Sequence, residues 1–302
     1  MLDERGREVR ELYVSPVDAP PVIAPRVPQY ASWSPDGRLV SVVAAGPDSL
    51  ALYLSDPDGL FTADRIARGA PIFHSWSDDS RFLAIHAGSD LLLYRVSERE
   101  AVLLASDAVG FRTAAFVAGG LAYSVASDAG VRIQWRALEG SEVRTLGAFP
   151  ARVVLQRAGG PESPLLSVTV AHGEDAATMD SCWVFDLAAG DSGRQALRGP
   201  FSAALWSPLG DRVALLVPTQ MGDGRFAVRV HDADGAFSAA TEAVVPSQDL
   251  RTYMNFFDQY ARSHPVWSPD GSGLVACGRL PGDGVAWAFS DRQLDYVWYW
   301  PA

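Results

Sequence analysis

The chain contains no lysine, so arginine supplies all 25 of its positive charges against 36 aspartates and glutamates. The resulting net charge of −11 excludes general nucleic-acid binding, which needs a basic face for phosphate contacts, and disfavours anionic membrane surfaces. Cysteine is nearly absent. Cys182 and Cys277 fall in different repeats within apolar strand patterns, which reads as two small buried hydrophobes and gives no disulfide or zinc framework. No apolar run reaches the ~18 residues of a membrane span. Met1 to Arg10 is charged and has no apolar leader core. The expectation is therefore a cytoplasmic protein if Met1 is native, and a periplasmic or secreted one if a leader has been removed. The five histidines, His74, His86, His172, His231 and His264, include no pair at metal-ligand spacing. There is no G-x-S-x-G nucleophile elbow and no glycine-rich loop between a strand and a helix, so no cofactor and no metal are expected.

With 48% hydrophobic and 20% charged residues, the composition is globular. The sequence is also repetitive. Trp33-Ser34-Pro35-Asp36-Gly37-Arg38 returns as Trp76-Ser77-Asp78-Asp79-Ser80-Arg81, as Trp206-Ser207-Pro208-Leu209-Gly210-Asp211 and as Trp267-Ser268-Pro269-Asp270-Gly271. Degraded copies run from Phe116 to Gly120 and from Leu155 to Gly160. Trp33 and Trp76 lie 43 residues apart, Trp76 and Phe116 lie 40 apart, and the 90 from Phe116 to Trp206 fit two units. The 61 residues between Trp206 and Trp267 make one unit plus an insertion of roughly 18.

Each copy has one internal order. An apolar strand ends at the tryptophan, and a turn of Pro, Asp and Gly follows, residues that preset φ or tolerate the left-handed region. Next comes an apolar run such as Leu39 to Ala45 or Phe82 to His86. An alternating segment such as Leu91 to Val96 or Arg132 to Ala137 follows, then a weaker fourth strand such as Arg65 to Arg68 or Val143 to Leu146. Period-2 alternation between turn signals reads as all-β, and a four-stranded unit of ~40–45 residues in tandem reads as a β-propeller. Stacking the small sheets buries both faces of each, and the tryptophans are expected to wedge between neighbours. The third-strand pattern occurs seven times, from near Tyr13 to near Trp287. Seven blades are favoured and six are the alternative. In the seven-blade reading the ring is closed by terminal strands, with Tyr296 to Pro301 supplying an inner strand and residues 9–25 the outer ones. Residues 1–302 then form a single domain with a lid-like insertion at 246–263.

The tryptophan turn followed by an apolar strand resembles the TolB-like propeller repeat, and the resemblance covers nearly the whole chain. It implies the fold, and it implies roles that range from protein-binding modules to propellers beside serine-peptidase domains. This sequence has no second domain to carry a catalytic triad.

Propellers bind through the loops that lead into their inner strands, and the insertion is such a loop. It is the one stretch with helical character. Asp249 is placed to cap it, and Tyr253, Phe256, Phe257 and Tyr260 are spaced to share a face. As a lid, the insertion presents these aromatics with Asp258, Arg262 and His264 to a ligand; as a plug, it seals the channel mouth. His74 lies in another inner strand, so it could converge with His264 and Asp258 as a general acid–base group, with Arg112 or Tyr30 assisting. Two functions follow. The first is a non-catalytic, monomeric binding scaffold that presents one face to a protein or peptide partner. The alternative is a small-molecule lyase or hydrolase with a polar site at the channel mouth.

Overall fold

The computed structural model describes residues 31–45, 49–56, 64–106, 108, 114–173, 175–190, 192–220, 224–241, 243–262, 265–279 and 296–301. The chain divides into two compact units, Met1–Thr113 and Ala114–Ala302. The first holds two antiparallel sheets. One is β1 (Ala31–Trp33), β2 (Val40–Ala45), β3 (Leu50–Ser55) and β4 (Asp64–Gly69). The other is β5 (Ile72–Trp76), β6 (Phe82–Ala87), β7 (Asp90–Arg95) and β8 (Glu100–Ala105).

The second unit continues the pattern with β9 (Ala115–Val117), β10 (Gly120–Ser127), β11 (Gly130–Ala137) and β12 (Val143–Phe149). Its next sheet is β13 (Val153–Arg157), β14 (Leu165–His172), β15 (Asp175–Asp186) and β16 (Arg194–Phe201). A third is β17 (Ala203–Trp206), β18 (Arg212–Pro218), β19 (Phe226–Asp232) and β20 (Phe237–Ala240). The last has three strands, β21 (Val245–Pro246), β22 (Gly273–Arg279) and β23 (Tyr296–Pro301), and between β21 and β22 lie α1 (Gln248–Asn255) and α2 (Phe257–Tyr260). Neighbouring strands in every sheet are consecutive in the chain, the meander of a propeller blade.

Burial explains why these sequences make blades. Second strands are covered on both faces: β6 is buried at all six positions, and β18 at all but its two ends. Third strands alternate, as in β11, and fourth strands are mostly open, as in β8 and β12. A sheet with apolar side chains on both faces of its central strands needs a sheet stacked on each side.

The wedge residues at the ends of the first strands make those stacks specific. Trp76 is only 6% exposed, and its Nε1 donates to Ser41 Oγ of the preceding sheet at 3.2 Å. Trp267 Nε1 donates to the Leu205 carbonyl oxygen of β17 at 2.8 Å. The degraded fourth copy uses a different residue for the same job: Arg157 occupies the tryptophan position, and its Nη1 donates to the Phe116 carbonyl oxygen at 3.4 Å. Trp33 departs from the expected wedge, since it is 47% exposed.

The turns share one hydrogen-bond design. In the first, Ser34 Oγ donates to Asp36 Oδ1 at 2.6 Å and accepts from Leu39 N at 2.9 Å, while Arg38 N donates to the same carboxylate at 3.1 Å. Ser77 with Asp79 and Ser268 with Asp270 repeat this. In the fifth sheet the carboxylate has moved to Asp211, which Ser207 Oγ reaches at 2.7 Å. The serine hydrogen bonds hold the Asp36 carboxyl below the usual range and bring Asp270 down to about 2. Gly37, Gly210 and Gly271 take φ of 72°, 73° and 70° at one turn position, and Ser80 is forced to 61° there. Ser80 Oγ accepts from Asp36 N at 3.0 Å, tying the turn of the second sheet to that of the first.

One expectation changes. Among the described residues there are six sheets, and β23 pairs antiparallel with β22 over Gly273↔Pro301 to Gly278↔Tyr296. The C-terminal segment is thus the strand after β22 in the sixth sheet rather than the inner strand of a seventh. The inner position is taken by Val266 and Trp267, which bond to β22 from its other side. Residues 9–25, expected to complete the closing blade, lie outside the described residues.

Replacing Trp76 by alanine removes a buried wedge and is expected to cost about 3–5 kcal/mol, whereas Trp33→Ala is expected to cost less than ~1 kcal/mol. Chemical denaturation of the two variants beside the parent protein checks both values.

Candidate functional site

The insertion folds as expected in type but not in detail. Ser247 caps α1, its Oγ accepting from Leu250 N at 3.0 Å, so Asp249 sits inside the first turn instead of capping it. The helix breaks at Phe256, whose φ of −130° and ψ of 37° separate α1 from α2. One continuous helix would have put all four aromatics on one face. The break turns Phe256 outward, 37% exposed, and Phe257 fully inward.

The inward residues form an anchor. Leu250, Tyr253, Met254 and Phe257 join the core made by Leu205 and Leu215 of the fifth sheet and by Trp267. Tyr253 and half-buried Tyr260 stack with ring centroids 5.8 Å apart, and burial pushes the Tyr253 phenol well above its ordinary range. α2 lies against the first strands β13 and β17. There Gln156 Nε2 donates to the Phe257 carbonyl oxygen at 3.2 Å, in a buried position. Gln156 was not legible as a site residue, because its partner is a backbone atom a hundred residues away in sequence. Asp258 is buried, while Arg251, Thr252, Phe256 and Arg262 face solvent. The aromatic face is therefore a packed foundation, and the exposed surface above it carries one phenylalanine and two arginines.

Of the remaining predicted residues, His264, Arg112 and Tyr30 lie outside the described residues. His74 belongs to the first unit and is buried in a hydroxyl network there. Ser41 Oγ lies 3.0 Å from the Ser32 carbonyl oxygen and 2.6 Å from His74 Nε2, and it accepts from Trp76 Nε1 at 3.2 Å. Ser32 Oγ is 3.1 Å from the same ring nitrogen. Burial lowers the His74 pKa to about 3, so the imidazole is neutral at ordinary pH, with Nε2 held between the two serine hydroxyls. Ser41 beside His74 has the spacing of a nucleophile and its base, but it is wholly buried and serves the stack.

Other chemistry is equally committed. Cys182 is buried, and desolvation pushes its thiol up, the reverse of an activated nucleophile. A cleft of about 660 Å³ in the first unit is lined by Asp36, Arg38, Asp56, Asp79 and Arg81, yet Asp36 and Asp79 are already spent as turn acceptors. Among the described residues no three His, Cys, Asp or Glu side chains gather to hold a metal ion.

No protein-family model and no curated protein matches the sequence. Solved structures do resemble it. Oligogalacturonate lyase in complex with manganese superimposes with a TM-score of 0.52 at 12% identity, over 83% of this chain and 88% of that one. The β-propeller domain of the trilobed protease from Pyrococcus furiosus gives 0.51 at 10% identity, over 90% and 80%. TolB from Acinetobacter baumannii gives 0.47 at 18% identity, over 74% of this chain and 57% of that one, so the chain spans little more than half of that protein. At these identities the likeness establishes the fold, a β-propeller of four-stranded blades, and not an activity.

The His74 network sets a pH dependence. The unfolded chain protonates His74 near its ordinary value of 6.5 and the folded chain only near 3, so the unfolded state binds more protons between these values. The contribution of His74 to stability is accordingly complete above about pH 6.5 and is lost as the pH falls toward 3, with a slope approaching ~1.4 kcal/mol per pH unit. Unfolding free energies measured from pH 4.5 to 6.5 should show this slope in the parent protein and its loss in His74→Gln.

Proposed function

We propose that the chain is a non-catalytic binding propeller that presents the outer surface of residues 246–262 to a protein or peptide partner. One observation carries this reading: the insertion commits its apolar residues to the core and leaves Phe256, Arg251 and Arg262 on a surface that is held in place from beneath. Such a surface loses little conformational entropy on association. Aromatic side chains and arginine are also the residues that most often carry interface energy. A matching epitope offers an apolar recess for Phe256 and a carboxylate or carbonyl oxygens for the Arg251 guanidinium fork. The buried state of His74, Ser41 and Cys182 supports a binding role over a catalytic one, since each is occupied within the fold. No helix among the described residues is long and apolar enough to cross a membrane. We read the chain as acting as a monomer.

The test uses the full chain with a photo-crosslinking residue at position 252, beside Phe256, to mark partners on that surface. The doubly substituted Phe256→Ala, Arg262→Ala protein should keep its melting temperature and lose crosslinked partner by about tenfold or more. Equal crosslinking by the parent and substituted proteins would contradict the assignment.

A further inference from the structure

Among the described residues the fourth strands of the blades are sheet edges, and an edge displays a row of backbone N–H and C=O groups that can accept another strand. Most of the edges here carry charge that discourages this. β4 has Asp64, Arg65 and Arg68; β12 has Arg144; β16 has Arg194 and Arg198. β20 is short and interrupted by a bulge opposite Val230 and His231. β8 differs, because it reads Glu-Ala-Val-Leu-Leu-Ala and has no arginine and no charge after Glu100. Val102 is 37% exposed and Leu103 54%. Consecutive residues of a strand point to opposite faces, so both faces of this edge are apolar and open. The pairing of β8 with β7 is regular from Arg95↔Glu100 to Leu92↔Leu103 and bulges only beyond, which leaves Glu100 to Leu103 as an undistorted template.

We propose that β8 is a second interaction surface, a strand-addition site that takes an extended apolar segment of a partner protein. The row of backbone groups requires a strand, because only a strand satisfies it. The exposed Val102 and Leu103 require apolar, β-branched residues opposite them on both faces. Glu100 at the leading end places a basic residue across from it. A second copy of this chain is the poorer occupant. Each copy brings a net charge of −11, so two copies repel one another. The site is separate from the helical insertion and does not depend on its role.

The probe is a fluorescein-labelled peptide of alternating valine and threonine with lysine at each end, titrated into the full chain and followed by anisotropy and by amide hydrogen exchange. Binding is expected to slow exchange in residues 100–103. Val102→Arg, on an exposed position, should keep the parent melting temperature and weaken peptide binding at least tenfold, while Phe256→Ala should leave it unchanged. Unaltered exchange in residues 100–103 at saturating peptide, or equal binding by Val102→Arg, would overturn the site. Sedimentation showing a dimer of the parent chain that Val102→Arg abolishes would overturn the choice of partner.

Discussion

A four-stranded sheet of this kind has two apolar faces and no second layer of its own, so everything else in the molecule depends on how one sheet is fixed to the next. Apolar area supplies the attraction but no direction. Direction comes from three residues at the inner-strand ends, each of which carries bulk and a hydrogen-bond donor together. Trp76 reaches the Ser41 hydroxyl and Trp267 the Leu205 carbonyl oxygen. Arg157 reaches the Phe116 carbonyl oxygen in the same way. Each bond lands on the sheet that precedes the donor in the chain, so the same contact that buries a side chain also sets the offset between two sheets.

The turns that follow make this placement repeatable. A buried serine hydroxyl that joins a carboxylate to the next strand's N–H fixes where the second strand starts. The design tolerates exchange of parts as long as the acceptor survives. Asp211 serves two positions later than Asp79 or Asp36 do, and Ser80 replaces glycine at positive φ while gaining a bond to the neighbouring turn. The elements proposed to bind partners are additions to this frame. The helical insertion is laid on β13 and β17 by Phe257, and β8 is an edge without the arginines of β4, β12 and β16.

The repeat, the strand order and the all-β class were legible because they are local: tryptophan, a turn of Pro, Asp and Gly, and alternation at period two. The helical character of the insertion was legible from the spacing of its aromatics. What was not legible depends on contacts distant in sequence or on small changes of backbone. Nothing local marks Arg157 as a wedge, because its role is defined by a carbonyl oxygen in the preceding sheet. Ser41 looks like any strand serine until His74 and Trp76 are brought to it. Phe256 fits the apolar face by spacing and leaves it through a single break in the helix. The C-terminal strand resembles an inner strand in composition, yet it pairs with β22 from the outer side.

The claim that a paired donor, and not apolar area alone, fixes one sheet on another is tested most directly by a double-mutant cycle between Trp76 and Ser41. Trp76→Phe keeps most of the bulk and removes the N–H, and Ser41→Ala removes the acceptor. Unfolding free energies of the two single variants and the double variant should give a coupling of about 0.5–1.5 kcal/mol, the size of one buried hydrogen bond. Strictly additive single effects, with a coupling below ~0.3 kcal/mol, would mean that the sheets are held by burial alone and would contradict the account.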